Sequence, residues 1–379
     1  MRKADFWKKV TGVLLTTVMV ASMLTGCGGS SDSKESGKET GGDSSELVTV
    51  NMASPTKLAS MDLCWVTVAD KMGYFEDEGI KVNLIECTDG SDPKMVASGQ
   101  AEFGGWSPSV GLSAVDNGVT NIQAVCNNVR SNMFGIAYNK EGGVTDWADI
   151  NGKAIASMTD NFSVIYNPIL AAAGVDTGSV EYVSYGSSEY EALDSNQAPV
   201  MGTWLSEYYM CQGMGYDWGY LSGDDVLPQI SNSVWVNTEY AEKNPEVVKG
   251  FVRAVCKSMY FCYLNPEAAA DMVLNTYPSI EITWEGAVGA IEGNVKGMLG
   301  MTEEDAKACI DNHLIGVYDM AIVEQTIQNL VDGGAIKEKL DAATYYTNDY
   351  VDTGWDYATV EADAKAYTCT SKTYENAGK

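Results

Sequence analysis

ASGQAEFGGWSPSVGLSAVDNG, residues 97–118, has the pattern of a β-strand that leads through a short loop into a capped α-helix. Residues 101–103 predict the end of the strand, and Gly104-Gly105-Trp106 predicts a loop whose backbone can approach another group closely. Ser107 and Pro108 match a helix N-cap followed by proline at the first helical position. Two interpretations are open: an ordinary β–α turn, or one side of a small-molecule site that uses the free N–H groups of the helix.

Strands and helices alternate on both sides of this stretch. Strands are predicted at residues 47–53, 80–87 and 122–127, and helices at 61–72, 92–98 and 109–117. Strands separated by helices of this length predict βαβ units and an open α/β sheet, in which ligands bind at the carboxyl ends of the strands. The quoted stretch lies at one such end.

A further strand is predicted at 133–139, and from Trp147 the same pattern starts again. Strands are predicted there at 154–158, 180–185 and 200–204, and helices at 161–173 and 188–194. Residues 234–236 predict a strand that crosses back, and the chain from Thr238 onward is mainly helical. We therefore expect two α/β lobes, one formed by residues 47–133 with 236–379 and the other by residues 134–235.

The N-terminus predicts an export signal. Basic residues at the start of the chain precede an apolar run at 10–24, which is too short for a comfortable membrane span. Leu24-Thr25-Gly26-Cys27 resembles the lipobox of bacterial lipoproteins, and Gly/Ser-rich residues 28–46 have the composition of a flexible tether. We expect residues 1–26 to be a signal peptide, residues 27–46 to be a tether, and Cys27 to anchor the protein by lipid outside the bacterial cell membrane.

Charge and residue usage exclude several function classes. The formal net charge is −28, which argues against binding to nucleic acid or to anionic lipid. The chain has one histidine, His313, which is predicted in a helix. It therefore has almost none of the histidines that a His-based metal cluster or a Ser-His-Asp triad requires. The other eight cysteines are scattered, without a CxxC pair, and are expected to be buried free thiols. We expect no cofactor and no metal.

Five short motifs follow one another in the order found in a known family. They are Gly73-Tyr74-Phe75 with residues 78–82 (EGIKV), 96–103 (VASGQAEF), 149–155 (DINGKAI), 244–248 (NPEVV) and 334–351. Together they resemble the SsuA/THI5-like (NMT1-like) substrate-binding proteins of ABC importers. The resemblance covers nearly the whole chain behind the tether.

The resemblance implies a type II periplasmic-binding-protein fold, with two lobes that are each an open sheet flanked by helices, a two-stranded hinge, and a ligand held between the lobes. It also implies an ABC permease and its ATPase as partners of a monomeric solute-binding protein. One branch of the superfamily consists of pyrimidine synthases that use a histidine and a cysteine-rich motif. Since this chain has only His313 and no clustered cysteines, we expect a protein that is not an enzyme. A sensor subunit that presents its ligand to a membrane receptor is the alternative.

In such a fold the ligand contacts loops at the carboxyl ends of strands in both lobes. The candidate contacts are therefore residues 55–62 with Trp65, then Trp106, Ser107, Asp160, Asn161, Phe162, Tyr185, Trp204 and Glu207. Some have a second interpretation: Trp65 follows the helical period of core residues, Asp160 suits a helix N-cap, and Tyr185 suits an exposed strand end. Trp204 is open to either role, whereas Trp106, beside two glycines, is expected to contact the ligand.

The charges near these loops favour one class of ligand. Asp160 and Glu207 are acidic, and the only basic residues near the candidate loops are Lys57 and Arg130. A carboxylate at a helix N-terminus takes up the favourable potential there and repels an anion. We expect a neutral or cationic aromatic heterocycle, such as a thiamine-related pyrimidine, with an aliphatic sulfonate, taurine or nitrate as the alternative.

Overall fold

The computed structural model describes residues 46–157, 163–185 and 188–370. Within these residues, strands form two five-stranded sheets flanked by helices. The strands are β1 Val48–Ser54, β2 Ile80–Glu86, β3 Phe103–Trp106, β4 Ile122–Val129, β5 Phe134–Asn139, β6 Ala154–Ser157, β7 Glu181–Ser184, β8 Val200–Trp204, β9 Trp218–Ser222 and β10 Asn232–Asn237. The predicted α/β fold, with two sheets flanked by helices, is confirmed.

The order of the strands shows how the chain passes between the sheets. The first sheet has the order β2-β1-β3-β10-β4, and the second has the order β7-β6-β8-β5-β9. The chain leaves the first sheet after β4, builds the second sheet, and returns as β10, which is antiparallel to β3 and β4. Residues 130–133 and 223–231 make the two connections between the sheets.

Helices follow most strands and dominate the last third of the chain. They are α1 Cys64–Lys71, α2 Tyr74–Asp77, α3 Asp92–Ala97, α4 Pro108–Asp116, α5 Ser163–Ala172, α6 Glu189–Asp194, α7 Leu205–Gly213, α8 Thr238–Lys243, α9 Pro245–Leu264, α10 Pro266–Thr276, α11 Trp284–Leu299, α12 Glu303–Asp311, α13 Met320–Asp332, α14 Ala342–Tyr345 and α15 Tyr357–Ala366. A short 3-10 helix, Met61–Leu63, precedes α1. No helix among the described residues is both long and apolar enough to span a membrane.

The predicted loop Gly104-Gly105-Trp106 is wrong, because these residues belong to strand β3. Strand β10 pairs with β3 as far as Trp106, opposite Ser233, and this pairing extends the strand beyond Phe103. The indole of Trp106 lies over Gly104, where a Cβ atom would be only 1.8 Å from the ring. Gly104 thus leaves room for a core side chain and not for a ligand.

Helix α11, in the C-terminal part of the chain, packs against α7, which follows strand β8 of the second sheet. Its glycines allow backbone to touch backbone: a Cβ on Gly289 would lie 2.3 Å from the carbonyl oxygen of Tyr209, and one on Gly293 would lie 2.4 Å from that of Leu205. Such close approach is possible only where Cβ atoms are absent. The contact fixes the start of α7 beside α11, and the site described below lies there.

His313 and the cysteines complete the comparison with the sequence. His313 is not in a helix as predicted: α12 ends at Asp311, and His313 adopts a left-handed conformation with φ 55°. Its Nδ1 lies 3.0 Å from the carbonyl oxygen of Thr353. Seven of the eight cysteines in the described part of the chain are buried free thiols, as predicted, and Cys369 is half-buried. Cys27 and the predicted tether lie outside the described residues.

Candidate ligand-binding site

A cavity of about 270 Å³ lies where helix α7 begins. Four parts of the chain line it: the segment before α1, the start of α6, the β8–α7 junction, and the region around the start of α11. The lining residues are Ala59, Ser60, Met61, Asp62, Glu189, Tyr190, Trp204, Ser206, Glu207, Met210, Ile280, Ile282 and Ala290. We call this space the acidic cavity, because three of its side chains are carboxylic acids.

The topology of the second sheet explains why acids from two helices meet. Strands β7, β6 and β8 are parallel neighbours, so their carboxyl ends share one edge of the sheet. Helix α6 begins at Glu189 after β7, and helix α7 begins at Leu205 directly after β8. Glu189 and Glu207 both lie in the first turns of these helices. The edge of the sheet therefore carries two acids side by side.

Glu207 is held by two hydroxyl groups. Its carboxylate accepts hydrogen bonds from Thr203 Oγ1 at 2.6 Å and from the Tyr190 hydroxyl at 2.8 Å, and only 6% of the residue is exposed. Burial raises the pKa of Glu207 to about 8, against the lowering effect of both hydrogen bonds. The negative charges of Glu189 and Asp62 raise this pKa further.

Glu189 is also 6% exposed, but it differs from Glu207 in its partners. Among the described residues, none donates a hydrogen bond to its carboxylate. Burial raises the pKa of Glu189 to about 7. Glu189 thus offers the acidic cavity a buried acceptor whose hydrogen-bonding capacity is unused by the described part of the chain.

Asp62, in the short 3-10 helix before α1, is hydrogen-bonded to residues of the β8–α7 junction. Its carboxylate accepts a hydrogen bond from Ser206 Oγ, and the side chains of Trp204 and Asn294 also hydrogen-bond to it. Burial raises the pKa of Asp62, while these hydrogen bonds lower it. A second contact, from Asn294 Nδ2 to the carbonyl oxygen of Met61 at 3.1 Å, fixes the same turn to α11.

The electrostatic character of the acidic cavity is therefore one-sided. Its described lining residues include three acids but no lysine, arginine or histidine. Arg130 lies at a different cavity, where its Nη1 contacts Cys309 Sγ at 2.6 Å, and Lys57 is exposed. No group of three or more His, Cys, Asp or Glu side chains in the described residues is arranged to hold a metal ion. The cavity is suited to an organic group that donates hydrogen bonds.

Residues 61–269, just over half of the chain, match the model of the family described as NMT1/THI5 like. The chain belongs to the NMT1/THI5-like family. The resemblance inferred from the five motifs is thereby confirmed. The matched interval includes Asp62, Glu189 and Glu207, whereas Ile280, Ile282 and Ala290 lie beyond it.

Two curated relatives differ in their named roles. The formylaminopyrimidine-binding protein of Halalkalibacterium halodurans is 28% identical over 55% of this chain and 64% of its own length. The 4-amino-5-hydroxymethyl-2-methylpyrimidine phosphate synthase of Legionella pneumophila is 23% identical over 57% of this chain and 70% of its own length. This NMT1/THI5-like chain is thus similar both to a binding protein and to an enzyme.

A solved structure supports the fold. The periplasmic aliphatic sulphonate binding protein SsuA from Escherichia coli is similar with a TM-score of 0.57, over 80% of this chain and 92% of that chain. The sequence identity is 13%, so the similarity concerns the fold alone.

The structure brings together some of the predicted site residues. Trp204 and Glu207 line the acidic cavity together with Asp62, the last residue of the predicted loop 55–62. Trp65 does not line it: its side chain is buried in the core of the NMT1/THI5-like fold, 3.3 Å from the position of a Cβ on Gly105.

Other predicted site residues lie elsewhere. The indole of Trp106 is 1% exposed and stacks on Trp235, with ring centroids 5.7 Å apart. Ser107 lines a separate cavity of about 70 Å³ and shares a 2.8 Å hydrogen bond with Ser109. Tyr185 packs against a core cluster of the second sheet and is not part of the acidic cavity. The remaining three, Asp160, Asn161 and Phe162, lie outside the described residues.

Several cavity residues were missed from the sequence. Glu189 and Tyr190 start a helix after a parallel strand. Both the strand at 180–185 and the helix at 188–194 were predicted, so the rule that selected Glu207 also applied to these two residues. Ile280 and Ile282 reach the cavity from the segment before α11, far along the chain, and no local pattern marks them.

Proposed function

We propose that this protein captures a neutral or cationic aromatic heterocycle, such as a thiamine-precursor-like pyrimidine, in the acidic cavity. The observation that carries the proposal is the pairing of three carboxylic acids with two aromatic side chains, Tyr190 and Trp204, around one small space. A flat ring with amino groups uses both features, because carboxylates accept its hydrogen bonds and aromatic side chains cover its faces.

The size and charge of the cavity support this choice. Its volume of about 270 Å³ lies just below the range of typical ligand pockets, roughly 300–1,000 Å³. A ligand with a formal negative charge would meet Asp62, Glu189 and Glu207 without a basic partner among the described lining residues. Since burying an unpaired charge is costly, an anion is the poorer occupant.

The named relatives support the same ligand class. The relative from Halalkalibacterium halodurans is named for binding a formylaminopyrimidine. An aliphatic sulfonate, taurine or nitrate is the second candidate, because the sulphonate-binding protein from Escherichia coli shares the fold. The acidic lining of the cavity favours the first candidate over the second.

The protein acts by binding and not by catalysis. The chain has one histidine, and His313 does not line the acidic cavity. The cavity therefore has no histidine base, and the described residues that line it include no cysteine or lysine nucleophile. A relative is named as a synthase, so absence of turnover is a claim to test with the pyrimidine that proves to bind.

Capture and delivery are the two steps of the proposed role. The protein is lipid-anchored at Cys27 outside the bacterial cell membrane and acts as a monomer. Two lobes, residues 47–133 with 236–379 and residues 134–235, close over the ligand. An ABC permease with its ATPase reads the closed form and imports the solute.

The test is a thermal-shift and calorimetric screen of the purified protein against aminopyrimidines, alkanesulfonates, taurine and nitrate. A ligand present at a hundred times its Kd stabilises the folded state by about 2.7 kcal/mol, which raises Tm measurably. We expect an aminopyrimidine to give the shift, and Glu207→Gln to reduce it. Tight binding of taurine or an alkanesulfonate, with no binding of any pyrimidine, would contradict the proposal.

A further inference from the structure

The three acids of the acidic cavity differ in how fully they are hydrogen-bonded. The carboxylate of Asp62 accepts hydrogen bonds from Ser206, Trp204 and Asn294. The carboxylate of Glu207 accepts hydrogen bonds from Thr203 and Tyr190. No described residue donates to the carboxylate of Glu189. Of the three, Glu189 is the acid with acceptor capacity left for a ligand.

The groups around Glu189 and Glu207 supply no positive charge. Glu207 faces Asp62 from the 3-10 helix, Tyr166 from α5, Glu189 and Tyr190 from α6, and Cys211 from its own helix. The same tyrosines and Cys211 also surround Glu189. Each of these groups is acidic or neutral. Within the described residues, the only ways to neutralise the pair are a proton or a bound cation.

Protons take that role in the absence of ligand. Burial raises the pKa of Glu189 to about 7 and that of Glu207 to about 8, so near neutral pH the pair holds at least part of one proton. The negative charge of Glu189 is among the causes that raise the pKa of Glu207, so the two acids interact electrostatically. A ligand that brings its own positive charge makes this proton unnecessary.

We infer that the acidic cavity selects a singly charged organic cation, which donates a hydrogen bond to Glu189 while one proton leaves the Glu189–Glu207 pair for solvent. This inference rests on the proposed function and narrows its ligand class. The exchange is one positive charge for another: no covalent bond other than O–H changes, and nothing is oxidised or reduced. Binding of the cation is therefore coupled to proton release.

The rest of the lining defines the body of the cation. Met61, Met210, Ile280, Ile282 and Ala290 offer apolar surface, and Tyr190 and Trp204 offer aromatic faces that attract a delocalised cation. The described acids are not arranged as metal ligands. A small heteroaromatic cation matches both the acids and the apolar wall, whereas a metal ion matches neither.

The first experiment is calorimetry with two probes of similar size, 4-amino-1-methylpyridinium as a permanent cation and 2-amino-4-methylpyrimidine, a weak base, as a ring that is neutral at pH 7. Titrations in phosphate and in Tris at pH 7 report the protons released. We expect the cation to bind more tightly and to release up to one proton, and the neutral ring to release none. As the pH increases, the affinity for the cation should rise about tenfold per pH unit up to about pH 7 and level off above about pH 8.

The second experiment uses a variant and a matched control. Glu189→Gln keeps the size of the side chain but removes its charge, whereas Glu191→Gln makes the same change at an exposed position of the same helix. A hydrogen bond to a charged group is worth about 1.5–3 kcal/mol, so Glu189→Gln should weaken cation binding about ten- to hundredfold at pH 8. Glu191→Gln should leave it unchanged, and far-UV circular dichroism confirms that both variants fold.

The outcomes separate the inference from the proposed function. If the neutral ring binds more tightly and neither probe releases protons, the inference is wrong and the proposed function stands. If Glu189→Gln weakens the binding of the two probes equally, Glu189 does not discriminate between the cation and the neutral ring, and the inference is again wrong. If neither ring binds while an alkanesulfonate does, both the inference and the proposed function are wrong.

Discussion

Two strand–helix junctions of the protein share a pattern and differ in what they do. Gly104-Gly105-Trp106 ends β3, and Gly202-Thr203-Trp204 ends β8, so each tryptophan follows a glycine two positions earlier. Residues two apart on a strand share a face, and the glycine leaves a gap beside its tryptophan. At β3 the indole of Trp106 fills that gap itself.

At β8 another residue fills the gap. A Cβ on Gly202 would lie 2.5 Å from the ring of Tyr166, which reaches the strand from α5. Trp204 is then left half-buried at the acidic cavity, where its side chain hydrogen-bonds to Asp62. In both junctions an aromatic ring occupies the space above the glycine. Which residue supplies this ring depends on the packing of a distant helix and not on the local sequence.

The largest expected effect tests the core role of Trp106. Trp106→Ala removes a side chain that is 1% exposed and stacked on Trp235, and truncation of a buried tryptophan costs about 3–5 kcal/mol. We expect the free energy of unfolding in urea to fall by this amount. A variant that keeps its stability but loses ligand affinity would return Trp106 to the binding site and remove the contrast between the two junctions.

The acid of the second junction gives the next effect. Three residues after each tryptophan stands Ser109 in one junction and Glu207 in the other. Because the pKa of Glu207 is raised to about 8, the folded state binds more protons than the unfolded state between about pH 4.5 and pH 8. The contribution of Glu207 is therefore full below pH 4.5 and is lost as the pH rises through about 8.

We expect this loss to be on the order of 3 kcal/mol, because each pKa unit corresponds to about 1.4 kcal/mol. Urea unfolding of the ligand-free protein at pH 5 and at pH 8 measures it, with Glu207→Gln as the variant that removes the titrating group. The difference between the two pH values should shrink in Glu207→Gln. An unchanged difference would mean that other groups, and not Glu207, cause the pH dependence.

A third prediction compares the glycines themselves. Gly104→Ala places a Cβ 1.8 Å from the ring of Trp106, and Gly202→Ala places one 2.5 Å from the ring of Tyr166. Overpacking costs about 1–3 kcal/mol, and we expect Gly104→Ala to cost more than Gly202→Ala. In a double-mutant cycle with Trp106→Ala, the cost of Gly104→Ala should nearly vanish. A cost that persists would mean that the strain comes from the backbone and not from the indole.

Much of the fold could be predicted because it depends on local alternation of strands and helices. Strand β9, Trp218–Ser222, was missed, since its five residues include a glycine and lie between turns. The end of β3 was also misplaced, because the pairing that extends it comes from β10, over a hundred residues later. Local sequence indicates where a strand starts more reliably than where a distant partner lets it end.

The candidate site divides in the same way. Trp204 and Glu207 could be predicted because the carboxyl end of a parallel strand marks ligand-contact positions in this class of fold. Trp106 satisfied the same rule, but its indole is buried in the core, where it packs against Trp235 and Gly111. Neither of these residues belongs to its strand. The wall formed by Ile280 and Ile282 could not be predicted, since it depends on how α11 packs against α7.

The smallest expected effect concerns the polar atoms of the two indoles. Trp204 hydrogen-bonds to the carboxylate of Asp62, whereas Trp106 Nε1 is buried with no partner in the described part of the chain. Trp204→Phe keeps a ring at the cavity but removes the donor, which costs about 1 kcal/mol at neutral pH. Trp106→Phe removes no hydrogen bond, so its cost depends on lost volume alone.

The two substitutions should therefore differ in their pH dependence. The indole of Trp204 stabilises the ionised form of Asp62, so the cost of Trp204→Phe should decrease as the pH falls and Asp62 becomes protonated. The cost of Trp106→Phe should not change with pH, which makes it the matched control. Urea unfolding of both variants over a series of pH values measures this. Parallel pH profiles would show that Trp204 has no electrostatic role at Asp62, and the two junctions would then differ only in where their tryptophans lie.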